Sequence, residues 1–126
     1  MKQKNIVMAY KAINNFNQNE KNKKNASVRI THDLFIIKKL LDPHWQYQVE
    51  REQELAAETE AEMQKNGFLK FPGAEKEKLF FDKLTEISEL DVDLGDFAKV
   101  RINLSEDIVI PMEDMEALEP FAEFVG

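Results

Sequence analysis

Residues 31–66 set the tightest limits on how this chain can fold. Apolar residues recur at Leu34, Ile37, Leu41, Trp45, Val49, Ala56 and Met63, close to the 3.6-residue period of one helix face. A helix of that length needs partners along its whole course, because an amphipathic helix owes most of its stability to tertiary packing. Thr31 is read as its N-cap, with Asp33 in the first turn where a negative charge suits the helix dipole. Asp42-Pro43 interrupts the pattern. A proline inside a helix loses one backbone bond and clashes one turn back, yet Asp then Pro is also a helix start. Two collinear or bent helices, 31–41 and 43–66, are therefore expected. The apolar phase runs on from Leu41 to Trp45 to Val49, which favours a kink over a reversal. Beyond residue 50 the stripe thins to Leu55, Ala56, Thr59 and Met63, so that half should be more exposed. Gly67 is read as the residue that ends the helix.

The other segments read as partners of this one. Residues 5–17 form a helix with Ile6, Tyr10 and Ile13 on one face. Residues 17–27, rich in Asn and Lys, have no apolar anchor and read as a flexible loop. Phe68 to Phe71 alternates like a short strand and ends at the turn Pro72-Gly73. Residues 74–90 form a helix with Phe80, Leu84, Ile87 and Leu90 in its stripe and Leu79 beside it. That helix should fold back on 43–66 as an antiparallel hairpin. Val100, Ile102 and Leu104 alternate as a strand, Glu106-Asp107 can turn the chain, and Ile108 to Ile110 make a second strand. Pro111 then opens a last helix with Met112, Met115, Leu118 and Phe121 facing inward.

The expected fold is a single domain over residues 1–126 of mainly helical α+β class. A kinked long helix pairs with a return helix within 31–90, and a small antiparallel β element with a C-terminal helix occupies 91–126. No apolar run approaches the ~18 residues that span a bilayer. The amino terminus lacks the apolar core of a signal peptide, so an intracellular, cytoplasmic protein is expected.

The net charge of −7 conceals an asymmetry. Residues 1–45 hold nine Lys/Arg against three acids, a net of +6. Residues 46–126 hold eight against twenty-one, a net of −13. Lys21, Lys23 and Lys24 have no interleaved aromatic residue to stack on bases, so they read as solvating and no nucleic-acid partner is expected.

Chemistry-bearing motifs are absent from the sequence. There is no cysteine, which removes thiolate metal sites and cysteine nucleophiles. His32 and His44 do not have the i, i+4 spacing of paired helix ligands. Asp91, Asp93 and Asp96 do not make a calcium loop. Counting from Asp91, the sixth and twelfth places hold Asp96 and Ile102 where Gly and Glu are needed. The four glycines are too scattered to cradle a phosphate, and none of the three serines sits in a nucleophile elbow. The reading is a non-enzyme without metal or cofactor.

Two stretches carry a family likeness: Glu89-Leu90-Asp91-Val92-Asp93-Leu94, and Ile110-Pro111 leading to Ala117-Leu118-Glu119-Pro120-Phe121. With the order of elements around them, the chain resembles the short uncharacterised proteins encoded by phages and prophages of low-GC Gram-positive bacteria. The resemblance implies a small accessory protein of the structural or assembly genes, in the host cytoplasm or the virion. It carries no residue roles.

The expected function is protein–protein interaction, with self-association or another phage or host protein as partner. Tyr47, Leu55, Thr59 and Met63 on the 43–66 helix are the expected contacts. The alternative is an inhibitor of a host defence or DNA-handling protein. Its acids, chiefly Glu113, Asp114 and Glu116, would imitate DNA phosphates.

Overall fold

The computed structural model describes residues 1–104 and 107–126. The protein is a mainly helical α+β fold with a long helix, a small antiparallel two-stranded sheet and a C-terminal helix. The sequence acid Glu106 lies outside the described residues, and with it the expected turn Glu106-Asp107.

Helix α1 (Gln3–Gln18) buries Ile6, Ala9, Tyr10, Ile13 and Phe16, a face of 3.6-residue period. Its first turn is tied to the segment after the return helix. The Gln3 amide donates to the Leu90 carbonyl at 2.8 Å, and the Val92 amide to the Met1 carbonyl at 2.7 Å. Helix α2 (Glu20–Asn25) stands where a flexible loop is expected. The overlooked anchor is polar. Asn22 is buried, and its Nδ2 donates to the carbonyls of Phe16 at 3.2 Å and Val109 at 2.7 Å. Its Oδ1 accepts from the Val109 amide at 2.6 Å.

Helix α3 (Val28–Glu58) is one element of 31 residues. Ser27, not Thr31, caps it, with Oγ accepting from the Ile30 amide at 3.2 Å. Pro43 sits inside it with its ring exposed, and the helix continues through the position. The end also differs from expectation. Thr59 closes the last turn, its Oγ1 donating to the Leu55 carbonyl at 2.6 Å, and Glu60 follows at φ +56°. A helix commonly stops at such a left-handed residue. Gly67, at φ +85°, serves the next turn instead.

That turn joins β1 (Glu62–Met63) to β2 (Leu69–Lys70), an antiparallel pair. Met63 therefore leaves the helix for a strand. Helix α4 (Ala74–Ser88) returns along the carboxyl half of α3, so the expected hairpin forms with the ribbon as its connection. Phe80 and Ile87 are buried, whereas Leu79 and Leu90 are exposed.

The last third is arranged differently from the sequence reading. β3 (Val100–Asn103) pairs in parallel with β4 (Ala122–Val125), not with residues 108–110. Parallel strands need a crossover connection, and α5 (Met112–Leu118) supplies it. Residues 108–110 form no strand, since the Val109 amide and carbonyl pair with the Asn22 side chain rather than a ladder. α5 ends ahead of Pro120, which has no N–H to continue the helix, so Phe121 is buried beyond it; Met112 is exposed rather than inward.

Two apolar clusters result. The larger joins α1, residues 30–41 of α3, β3, and the Leu118 to Ala122 corner. The smaller joins Leu55 of α3 to Phe80 and Ile87 of α4, with Leu69 and Phe71 of the ribbon packed on it. Leu41 and Leu55 are both fully buried, one in each cluster. Truncating a buried leucine costs ~2–5 kcal/mol, depending on how far the site can collapse. Leu41→Ala, in the larger cluster, is expected at the upper end of that range in urea unfolding. Leu55→Ala, among half-covered neighbours, is expected at the lower end. Equal losses, or the reverse order, would contradict the unequal division of the core.

Candidate interaction surface

The inner side of α3 is spoken for. Ile30, Leu34, Ile37 and Leu41 fall every three or four residues on that side, and Gln48 and Leu55 continue it. At the centre, Tyr10 of α1 stacks on Trp45, with ring centroids 4.6 Å apart and planes 12° from parallel. The Tyr10 hydroxyl donates to Asp42 Oδ1 at 3.0 Å, and Lys38 Nζ lies 5.4 Å from its ring centroid. Burial raises the Tyr10 pKa, and the hydrogen bond and charge of Asp42 raise it further. One turn on, Gln3 Nε2 donates to the His44 carbonyl at 2.9 Å and to Gln48 Oε1 at 3.3 Å. His44 itself is half-buried.

The outer side is not covered. Val28 is 86% exposed, Phe35 54%, Ile36 46% and Tyr47 40%. Their spacing, with the exposed His32, Lys39, Pro43 and Glu50 between them, follows one stripe of the helix. A groove of about 300 Å³ runs beside the stripe, lined by Ile36, Leu40, Phe97 and Val100. Phe97 stacks on the buried Phe121 at 5.4 Å and is itself partly exposed.

The expected contact residues do not share this surface. Tyr47 lies on it. Leu55 and Thr59 are fully buried and so cannot meet a partner in this fold. Met63 is exposed, but on β1. The sequence reading does not single out the exposed Val28, Phe35 and Ile36, because it follows the inward stripe. The signal was present: α3 has apolar residues on two sides, which a one-sided surface helix does not need.

The acids of α5 lie elsewhere. Glu113 and Glu116 are exposed beside Asn5 and Met8 of α1. Asp114 is half-buried and hydrogen-bonded to Asn15. Among the described residues no cluster of three or more His, Asp or Glu side chains could hold a metal ion, and no helix is long and apolar enough to cross a membrane. No family model, curated protein or solved structure matches this chain.

Two carboxyls away from the stripe titrate in opposite directions. Burial, and then the charge of Glu113, raises the Asp114 pKa against the lowering effect of its Asn15 hydrogen bond. Glu89 is held low by hydrogen bonds and charge from Lys4 and Lys2, with Lys4 Nζ 2.7 Å from Oε1. The raised Asp114 costs stability when ionised, and the cost is relieved as pH falls through its folded-state pKa. The lowered Glu89 stabilises above its unfolded pKa, and that contribution is lost as pH falls through its folded-state pKa. In urea titrations, Asp114→Asn is expected to raise stability at neutral pH and to lose this advantage in acid. Glu89→Gln is expected to lower stability at neutral pH and to meet the parent chain in acid. Either variant moving oppositely would contradict these environments.

Proposed function

We propose that this chain is a non-enzymatic protein-binding protein that works through the outer face of α3. One observation carries the reading. The longest helix of the fold keeps Val28, Phe35, Ile36 and Tyr47 in solvent along one side, with His32, Lys39 and Pro43 between them, while its opposite side is packed. Apolar side chains held in solvent along one side of a helix suit an interaction site. The resemblance to phage and prophage proteins suggests the context: an accessory of structural or assembly genes, working in the cytoplasm of the producing cell or in the virion. Catalysis, metal and cofactor have no part in it.

A second reading has its own support. Glu113, Glu116 and Glu119 are exposed, and no ion pair forms with them among the described residues. Such an edge suits an inhibitor that occupies a basic, DNA-handling cleft on a host protein. Asp114, half-buried and bonded to Asn15, contributes less to that array than its position in sequence implies.

Tagged parent chain and Phe35→Asp, both checked for native circular dichroism, separate these readings by capture from producing cells. The parent is expected to recover a stoichiometric protein, either another chain or untagged copies of itself, and Phe35→Asp to lose it. Capture indifferent to Phe35→Asp but lost in Glu113→Gln/Glu116→Gln would move the function to the acidic edge. Capture indifferent to both would remove both readings.

A further inference from the structure

We infer that the outer face of α3 binds the same face of a second copy, antiparallel about a two-fold axis near Pro43. The inference rests on the protein-binding reading and names its partner.

Charge complementarity selects the second copy. On this side the amino half of α3 presents Arg29 and Lys39, while Lys38 leans over the Tyr10 ring at the edge of the stripe, beside Asp42. Asp33 is buried with Arg29 Nε 3.5 Å away, and Asp42 is half-buried against Tyr10. The carboxyl half presents Glu50, Glu54 and Glu58 on this side, with the base Arg51 engaged by Glu54, whereas Glu52 accepts from the buried Gln48 on the inner side. The helix is therefore basic at one end and acidic at the other along one exposed face. An antiparallel copy lays each half on the opposite charge, and two-fold symmetry makes the match twice. A parallel copy lays like on like, which is costly at an interface.

The apolar residues fit the same arrangement. With the axis at Pro43, Lys39 stands opposite Tyr47 of the second copy, where a cation can rest on the ring. Phe35 and Ile36 follow one turn away, ~5 Å along the helix. Glu50 of the second copy then falls opposite Ile36, within a lysine's reach of Lys39. Phe35, Ile36 and Tyr47 leave water together, and the ion pairs lie at the margin. Charge thus sets direction while apolar burial provides affinity.

Sedimentation of the full chain over a dilution series tests this. The parent is expected to dimerise, and to dissociate more readily as salt screens the pairs. Lys39→Glu sets a carboxylate against Glu50 of the other copy, and Glu50→Lys sets an ammonium against Lys39. Each change occurs twice per dimer, so each variant alone is expected to bind itself at least tenfold more weakly. Mixed in equal amounts, the two variants are expected to recover a dimer. In that mixed pair one contact sets the two exchanged charges against each other, again opposite in sign, and the other keeps Lys39 against Glu50. A parent chain that stays monomeric, single variants that dimerise like the parent, or a mixture that stays monomeric would each overturn the inference. If the parent is monomeric yet still captures a different protein in a Phe35-dependent way, the second-copy inference falls and the protein-binding reading stands. If that capture also fails, both fall.

Discussion

The packing of α1 against the inner stripe of α3 is the contact to which every other element of this structure is attached. Ile6, Ile13 and Phe16 from one helix meet Ile30, Leu34, Ile37 and Leu41 from the other in one buried cluster. Burial of apolar area is the main favourable term available to a chain of this size. The β3–α5–β4 unit closes the cluster with Ile102, Leu118 and Phe121, and α2 is drawn in by Asn22. The smaller cluster, around Leu55, hangs from the far end of the same helix. Between the two lies a polar junction, where the buried Gln3 and Gln48 bond each other and Gln3 also bonds the His44 carbonyl. Buried amides that find partners add directional constraint where apolar packing is thin.

A spine used this way has a consequence for function. The helix must be long to reach both clusters, and a long helix has more outer surface than one small domain can cover. In this chain that surface is not purely polar: Phe35, Ile36 and Tyr47 occupy it, and Lys39 and Glu50 frame them with opposite charge. The asymmetry between the basic first third and the acidic remainder is in part a property of this one helix. The acidic edge of α5 is a separate surface, attached to α1 rather than to α3.

Much of the fold was legible because local pattern and tertiary role agree. Helices α1 and α4 and strand β3 lie close to where period and turn residues place them. The misplacements have physical causes. Residues 20–25 lack an apolar anchor, but Asn22 supplies a polar one through Val109, 87 residues away, which no local pattern reveals. The sequence points to Gly67, the familiar left-handed residue, as the end of α3, whereas Glu60 takes that conformation after the Thr59 cap. The segment 108–110 has strand composition but gives its hydrogen bonds to a side chain, and β4 was hidden in an apparent helix despite Pro120. Exposure along α3 is half legible. Tyr47 is exposed, while Leu55 and Thr59 look like a thin outward stripe and are in fact the inward one. Separating two apolar sides of one helix requires knowing which side the other elements choose.

Hydroxyl-radical footprinting of α3 across a dilution series reads both sides of the helix in one sample, and so bears most immediately on a spine with one packed and one free apolar side. In dilute protein, Phe35, Ile36 and Tyr47 are expected to label strongly, while Leu34, Ile37, Leu41 and Leu55 stay protected. At high concentration the first group is expected to become protected and the second to remain unchanged. Phe35 and Tyr47 as shielded as Leu41 in the dilute chain would contradict the two-sided helix, as would labelling of Leu41 or Leu55 at any concentration.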